Sequence, residues 1–167
     1  MWSTPDPGDP PPCFRQGDLI VVQWLRPEFM TFEGQHSRVS VEVRTETVAL
    51  VSACCDLVVR SPPKRKGVLI SPLRSIPKDI RRSPEALTSL KATAAEAREA
   101  GHQIPANLFY FASTTGPGGQ QVDEGVVHLE AMSMLTWDAL RAATKIAELD
   151  EGPREELRER IKFHFGR

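Results

Sequence analysis

The stretch Thr47 to Asp56, TVALVSACCD, is the most apolar run in the chain, and it stops abruptly at Cys-Cys-Asp. Val48, Leu50 and Val51, interleaved with small Ala49, Ser52 and Ala53, suit a strand rather than a helix. A strand apolar on both faces belongs in the middle of a sheet or small barrel. Successive side chains on a strand point to opposite faces, so Cys54 and Cys55 diverge. Cys55 and Asp56 then stand at the strand's exit, where loops and sites gather, and are candidate site residues there.

The rest of the chain supplies neighbours for this strand. Gln16-Gly17-Asp18 reads as a turn that opens a first strand, Leu19 to Leu25. Arg26-Pro27 is expected to stop it, because proline cannot continue a central ladder. Residues 28 to 35, with Phe29, Met30 and Phe32, read as a loop or small helix over a barrel mouth, or as an aromatic platform. Ser37 to Val43 alternates cleanly and predicts a half-exposed strand. A turn at Thr45-Glu46 should fold it back as a hairpin onto the central strand. Further strands are expected at Val68–Leu73, Asn107–Ser113 and Gly125–Leu129, the last extended or followed by Ala131–Leu135.

Helices are signalled by their ends. Ser83-Pro84-Glu85 is a cap, an N-terminal proline and a first-turn acid, and Gly101 is a stop, so residues 83–100 read as one inserted helix. Thr136 caps a short helix. Asp150 and Pro153 begin a terminal helix over 153–165, with Leu157, Ile161 and Phe165 as its apolar stripe. The sum is an α+β chain, mostly β, with about five strands: a disordered Pro-rich tail over 1–13 and a single domain over 14–167.

Charge and composition narrow the function. A net charge of −1 argues against a chain that binds nucleic acid over its whole surface. The segment 61–82 is different. Lys64, Arg65, Lys66, Arg74, Lys78, Arg81 and Arg82 stand against Asp79 alone, a local charge of +6. Such a split fits an anionic partner or a solvated, solubilising loop. No run approaches the ~18 apolar residues of a membrane helix, and the N-terminus lacks a basic start and an apolar stretch, so neither a membrane span nor a secretory signal is expected. Three cysteines, two adjacent, make no disulfide framework and suggest a reducing cytoplasm. There is no CxxC or HxxxH pair, so no metal site is expected. Gly116 to Gly119 is followed by a strand rather than a helix, so no phosphate loop, dinucleotide or other cofactor is expected.

The order QGDLIVV, VALVSACCDL, KGVLISPLRS, GVVHLEAMSMLT and a terminal helix, over about residues 16 to 165, resembles the PemK/MazF-like small-barrel family. The resemblance implies an SH3-like barrel with added helices, with an inserted helix and a C-terminal helix. It also implies a bacterial, cytoplasmic endoribonuclease toxin of a toxin–antitoxin pair, a homodimer, with RNA and an antitoxin-like protein as partners. Gly17-Asp18 matches the family's opening of the first strand. The Arg-Pro that precedes the family's central strand is replaced by Glu46-Thr47, and Arg44 is the nearest arginine. Ser75, with Arg74 beside it, fits the position of the family's catalytic Thr or Ser.

Cleaving RNA without a metal needs a base for the 2′-hydroxyl, a cation for the phosphorane charge and an acid for the leaving oxygen. The resemblance makes His36 the candidate base or acid, Arg38, Arg44 and Arg74 the cations, and Ser75 a phosphate hydrogen-bond donor. Lys64, Arg65, Lys66, Lys78, Arg81 and Arg82 are the candidate RNA-binding residues. With the Arg-Pro missing, the chain is a candidate endoribonuclease with an incomplete site. The alternative is a non-catalytic barrel module that binds a protein partner in a bacterial defence or mobile-element locus.

Overall fold

The central run does form a buried strand, but as the last few residues of a much longer one. The computed structural model describes residues 2–3, 14–33, 36–53, 67–101, 103, 105, 107–116 and 119–165, with the backbone alone for 2–3, 24–33, 36–41, 94 and 98. Ten strands and five helices occur among them: β1 Trp2–Ser3, β2 Leu19–Glu33, β3 His36–Leu50, β4 Gly67–Pro72, α1 Lys78–Arg82, α2 Pro84–Lys91, α3 Ala94–Glu99, β5 Leu108–Phe111, β6 Thr114–Thr115, β7 Gln121–Val122, β8 Gly125–His128, β9 Ser133–Thr136, α4 Trp137–Ala142, β10 Thr144–Leu149 and α5 Glu151–His164. The main sheet is antiparallel, in the order β1-β10-β2-β3-β4-β9, and β5-β8 and β6-β7 form two small ribbons. The fold is α+β and mostly β, with helices inserted after β4 and a C-terminal helix. No described helix is long and apolar enough to cross a membrane.

The two middle strands bury both faces, as their composition requires. Leu19 and Ala49 join Phe109, Phe111, Val127, Leu129, Ile146 and Leu157 on the side of α5. Ile20, Val22, Val48 and Leu50 join Val68, Ile70, Leu135, Trp137 and Leu140 on the side of α4. Period-two alternation sends neighbouring residues of one strand to these two cores. A third cluster, Ile76, Leu90, Leu108 and Val126, seats α2 on the β5–β8 ribbon.

Polar groups fix how these layers meet. Asp18 is fully buried; its Oδ2 lies 2.9 Å from Lys145 Nζ and its Oδ1 3.5 Å from Arg154 Nη2. The Arg15 amide donates to the same carboxylate at 2.7 Å, and Arg154 Nε donates to the Gln16 carbonyl at 2.9 Å. Lys145 also pairs with Glu148. Burial raises the Asp18 carboxyl above its ordinary range, while Lys145 and the Arg15 amide pull the other way. The cluster joins the start of β2 to β10 and α5.

Several sequence expectations change. Pro27 does not stop the first strand: the register shifts between Pro27 and Phe29, and that irregularity absorbs the proline while β2 runs on to Glu33. Residues 28–33 are therefore strand, not loop or helix. No turn forms at Thr45-Glu46. These residues pair with Gln23 and Val22 within one continuous β3, so Ser37–Val43 pairs with β2 and not with the central run. The segment 83–100 breaks at Ala92-Thr93 into two helices. Ala92 is extended, and Thr93 and Glu96 form a reciprocal cap, Thr93 N to Glu96 Oε2 at 2.8 Å and Glu96 N to Thr93 Oγ1 at 3.3 Å. Ser83 caps α2 through the Ala86 amide, and Thr136 caps α4 through the Ala139 amide, as their sequences suggest.

Trp2–Ser3, expected in the disordered tail, pair with Leu149 and Glu148, because the outer edge of β10 offers backbone partners that need no particular side chain. In α5, Leu157 is fully buried and Ile161 packs partly, but Phe165 is 40 % exposed; the remaining buried residues are Arg154 and Arg160.

Removing Asp18 would leave two buried cations facing each other. Asp18→Ala should therefore lower stability by ~3–5 kcal/mol. Lys162→Ala, which breaks the exposed Lys162–Glu159 pair, should change it little. Urea denaturation of both variants checks the contrast; similar losses would mean that burial does not set the size of the effect.

Candidate functional site

The candidate site forms where the chain leaves β4. The Leu73 amide donates to the Thr47 carbonyl at 3.0 Å, still in contact with β3. One residue on, Arg74 exchanges two backbone hydrogen bonds of 2.8 Å with Val126 of β8. This approach requires Gly125: a Cβ there would lie 2.6 Å from the Arg74 carbonyl oxygen. Such a contact is closer than packed atoms tolerate. The Arg74 backbone is thus clamped while its side chain is free to reach solvent.

Arg74 Nη1 lies 3.3 Å from Glu46 Oε1, with the arginine side chain 54 % exposed and the glutamate 16 %. Ser75 is exposed beside it. The two line a polar cleft of about 280 Å³ with Glu46, Thr47, Leu73, Gln120, Gln121, Val122, Asp123 and Glu124. Glu124 receives hydrogen bonds of 2.8 Å from both Lys91 Nζ and the Tyr110 hydroxyl. Those bonds, Lys91 first, hold its carboxyl below the usual range, and the charge of Arg81 adds to the effect. The Lys91 ammonium is raised in turn, chiefly by Glu124, and it lies 5.0 Å from the Tyr110 ring centroid. Tyr110 is raised by burial and by Glu124. Helix α1 places Lys78, Arg81 and Arg82 on the surface. Arg81 acts on Glu124, so this basic helix flanks the cleft.

The fold brings together part of the set named from the sequence. Arg74, Ser75 and Glu46-Thr47 share one cleft, with Arg81 nearby. Arg44 lies two residues before Glu46 on β3, and its Nε is 2.5 Å from Glu42 Oε2. His36 sits at the hairpin end of β3, paired across to Glu33 and ten residues from Glu46. At ~3.3 Å per residue that is roughly 30 Å, so the strand does not bring His36 to the cleft. Cys55, Asp56, Lys64, Arg65 and Lys66 lie outside the described residues. Among the described residues no group of three or more His, Cys, Asp or Glu is arranged to hold a metal.

Sequence reasoning passed over Gln120, Gln121, Asp123, Glu124, Tyr110 and Lys91. They come from a loop, two strands and a helix end, and no local spacing ties them together. A larger and mostly apolar groove of about 430 Å³ lies between the α2–α3 junction, β5 and α5, floored by Leu90, Phe109, Ala112, Leu149 and Pro153. Lys91, Thr93, Tyr110 and Arg160 also line that groove, whereas Arg74 and Ser75 line the smaller, polar cleft.

An antiparallel α+β chain with a polar cleft at the end of β4 is the class of protein these observations define. No family model matches the sequence, and no curated protein does. Among solved structures, a chain of the crystal structure of MazE-MazF (Form-II) from Deinococcus radiodurans is 16 % identical, with 95 % of this chain and 98 % of that chain covered and a TM-score of 0.41. A chain of the Form-III crystals is 14 % identical, with 92 % and 97 % covered and a TM-score of 0.44.

Gly125→Ala should force the Arg74 segment off β8. The overpacking is expected to cost about 1–3 kcal/mol. It should also speed amide hydrogen exchange at Arg74 and Val126 beyond the change at Leu19 and Leu50. Unchanged protection at those two amides would show that the close approach does not fix the site.

Proposed function

We propose that this chain is a PemK/MazF-like protein directed at RNA, with the Arg74–Ser75 cleft as its phosphate site and metal-independent endoribonuclease chemistry as its activity. The observation that carries this reading is the meeting of Arg74 and Ser75 with Glu46-Thr47 in one polar cleft. The motif resemblance implied a reactive pair at those two positions of the chain. The guanidinium supplies the cation that stabilises a phosphorane, and the Ser75 hydroxyl supplies a hydrogen bond to a phosphate oxygen. Glu46, Asp123 and Glu124 are the carboxylates within reach as proton acceptor in place of His36, and Glu46 is the one already held against Arg74. Lys78, Arg81 and Arg82 on α1 give a bound strand a basic flank. Cytoplasmic residence, a bacterial source and an antitoxin-like partner belong to the same reading.

The second reading is the non-catalytic module that binds a protein partner. The observation favouring it is that the cation of the cleft is already engaged by Glu46, where the family carries Arg-Pro.

A long unstructured RNA incubated with the purified chain, with and without EDTA, separates the two. Cleavage should persist in EDTA, and the double variant Arg74→Ala/Ser75→Ala should lose it at least 100-fold, about 2.7 kcal/mol of transition-state stabilisation. RNA affinity should fall as salt rises, and less steeply after Arg81→Ala/Arg82→Ala. Absence of both cleavage and salt-sensitive binding would sink the RNA reading. Growth arrest on expression that the double variant relieves would eliminate the non-catalytic one.

A further inference from the structure

The polar cleft sets a charge problem for any anion. Among its lining residues, Arg74 is the cation, against the three carboxylates of Glu46, Asp123 and Glu124. Glu46 is engaged by Arg74 itself. A cleft of about 280 Å³ is comparable in width to the Debye length of about 10 Å, so salt screens the lining charges from a bound phosphate only in part. An uncompensated Glu124 would repel that phosphate.

The compensation comes through the cleft's wall. Lys91, at the end of α2, and Tyr110, on β5, line the neighbouring apolar groove. Lys91 Nζ and the Tyr110 hydroxyl both donate to one oxygen of Glu124, Oε2, at 2.8 Å each. The ammonium also lies 5.0 Å from the Tyr110 ring centroid, so the three side chains close on one another. Other contacts fix all three backbones. Leu90, beside Lys91, is buried with Ile76, Leu108 and Val126. Tyr110 pairs with Val126 across the β5–β8 ladder, and Gly125, beside Glu124, closes on the Arg74 carbonyl. Apolar packing therefore seats α2 without help from the Lys91–Glu124 pair. Both partners are more than a third exposed, and pairs of that kind add little to stability. What the pair changes is the charge that the cleft presents.

We propose, resting on the reading of this cleft as an RNA phosphate site, that Lys91 and Tyr110 are positioning residues for it: they hold the Glu124 carboxylate to the groove side and neutralise it, leaving Arg74 and Ser75 to meet the phosphate. The same bonds remove Glu124 from the candidate proton acceptors. A carboxylate that already receives two hydrogen bonds and a counter-charge is a poorer base than one that does not. The titration directions agree. Glu124 lies below its usual range, through Lys91 first and then Tyr110, with Arg81 adding to the effect, and Lys91 lies above its own, chiefly through Glu124. Glu46 and Asp123 remain as the acceptors that line the cleft.

The test is a double-mutant cycle on the full chain, read by the affinity for a 2′-O-methyl RNA oligonucleotide. That probe keeps the phosphates and lacks the hydroxyl needed for cleavage. Lys91→Met should weaken binding about fivefold, and Lys91→Arg should keep most of the wild-type affinity. The neutral pair Lys91→Met/Glu124→Gln should restore it. Tyr110→Phe changes no charge; it should weaken binding about twofold in the wild type and have no effect once Glu124→Gln is present. With cleavable RNA, Lys91→Met should raise KM more than it lowers kcat. Each variant should melt near the wild-type temperature, which separates these effects from unfolding. If Lys91 instead contacts the RNA, the neutral pair stays as weak as Lys91→Met and the salt dependence becomes less steep, and that result overturns the proposal. So does a Tyr110→Phe effect that persists beside Glu124→Gln. Affinity that falls with Arg74→Ala but ignores Lys91 and Tyr110 overturns the proposal alone. A wild type that binds no RNA, or binds it equally after Arg74→Ala, overturns the reading of the cleft and the proposal with it.

Discussion

One buried carboxylate holds the fold's parts in register. Asp18 meets Lys145 from β10 and Arg154 from α5, and the turn that presents it is tied to β3 by the Gly17 amide on the Leu50 carbonyl at 2.7 Å and the Leu50 amide on the Asp18 carbonyl at 3.0 Å. Four elements thus meet at two residues. The turn admits only glycine at position 17, where φ is +87° and a Cβ would lie 2.6 Å from Leu149 Cδ2. Such a cluster is a weak source of net stability, since desolvating three charges offsets most of their attraction, and a well-packed apolar replacement could equal it. Its effect is on alternatives. A slip of β10 by one residue would turn Lys145 away from Asp18 and bury an unpaired carboxylate, a cost of several kcal/mol.

The same logic explains how the C-terminal helix is held, and why its sequence misleads. Leu157, Ile161 and Phe165 make a plausible stripe, yet only the first is fully buried. Arg154 and Arg160 complete the buried face, three residues to either side of Leu157. Arg160 donates to the Leu108 carbonyl at 2.9 Å and the Ala92 carbonyl at 3.1 Å, and pairs with Glu156 at 2.8 Å. Its guanidinium lies 5.4 Å from the Phe109 ring centroid. Arginine can bury its stem when its donors find fixed acceptors. Hydropathy patterns count these residues as surface, so the true face was not legible from period alone.

Elsewhere legibility followed the range of the interaction. Burial of Val48 to Val51 on both faces, and the caps at Ser83 and Thr136, depend on neighbours a few residues away and could be read directly. β10 could not: Lys145 and Glu148 disguise TKIAEL as a surface segment, and only a partner 127 residues upstream, Asp18, makes Lys145 a core residue. The hairpin was misread because proline at 27 is a strand breaker only where a regular ladder must continue, and the irregular register there removes that demand. At the candidate site, Arg74 and Ser75 were found through motif order. Glu124, Tyr110 and Lys91 were missed because the folded chain alone brings β5, the end of α2 and the β7–β8 connection together.

Whether Glu46 silences the cleft is a question of magnitudes. The Arg74–Glu46 contact is a single bond at 3.3 Å with the arginine more than half exposed. Pairs of that kind contribute about 0–1 kcal/mol. A phosphate engaging the same guanidinium forms charge-assisted bonds worth about 1.5–3 kcal/mol each, and does so bidentately where geometry allows. The carboxylate is therefore displaceable by an anion at modest cost, and it stays close by, since β3 fixes its backbone opposite Val22. Displacement would leave the Glu46 side chain beside the incoming phosphate. That is an unfavourable position for a bystander, and a useful one for a group that must accept the proton of a 2′-hydroxyl. The ion pair that argues for a passive module is thus weak enough to be broken by the ligand that the active reading requires.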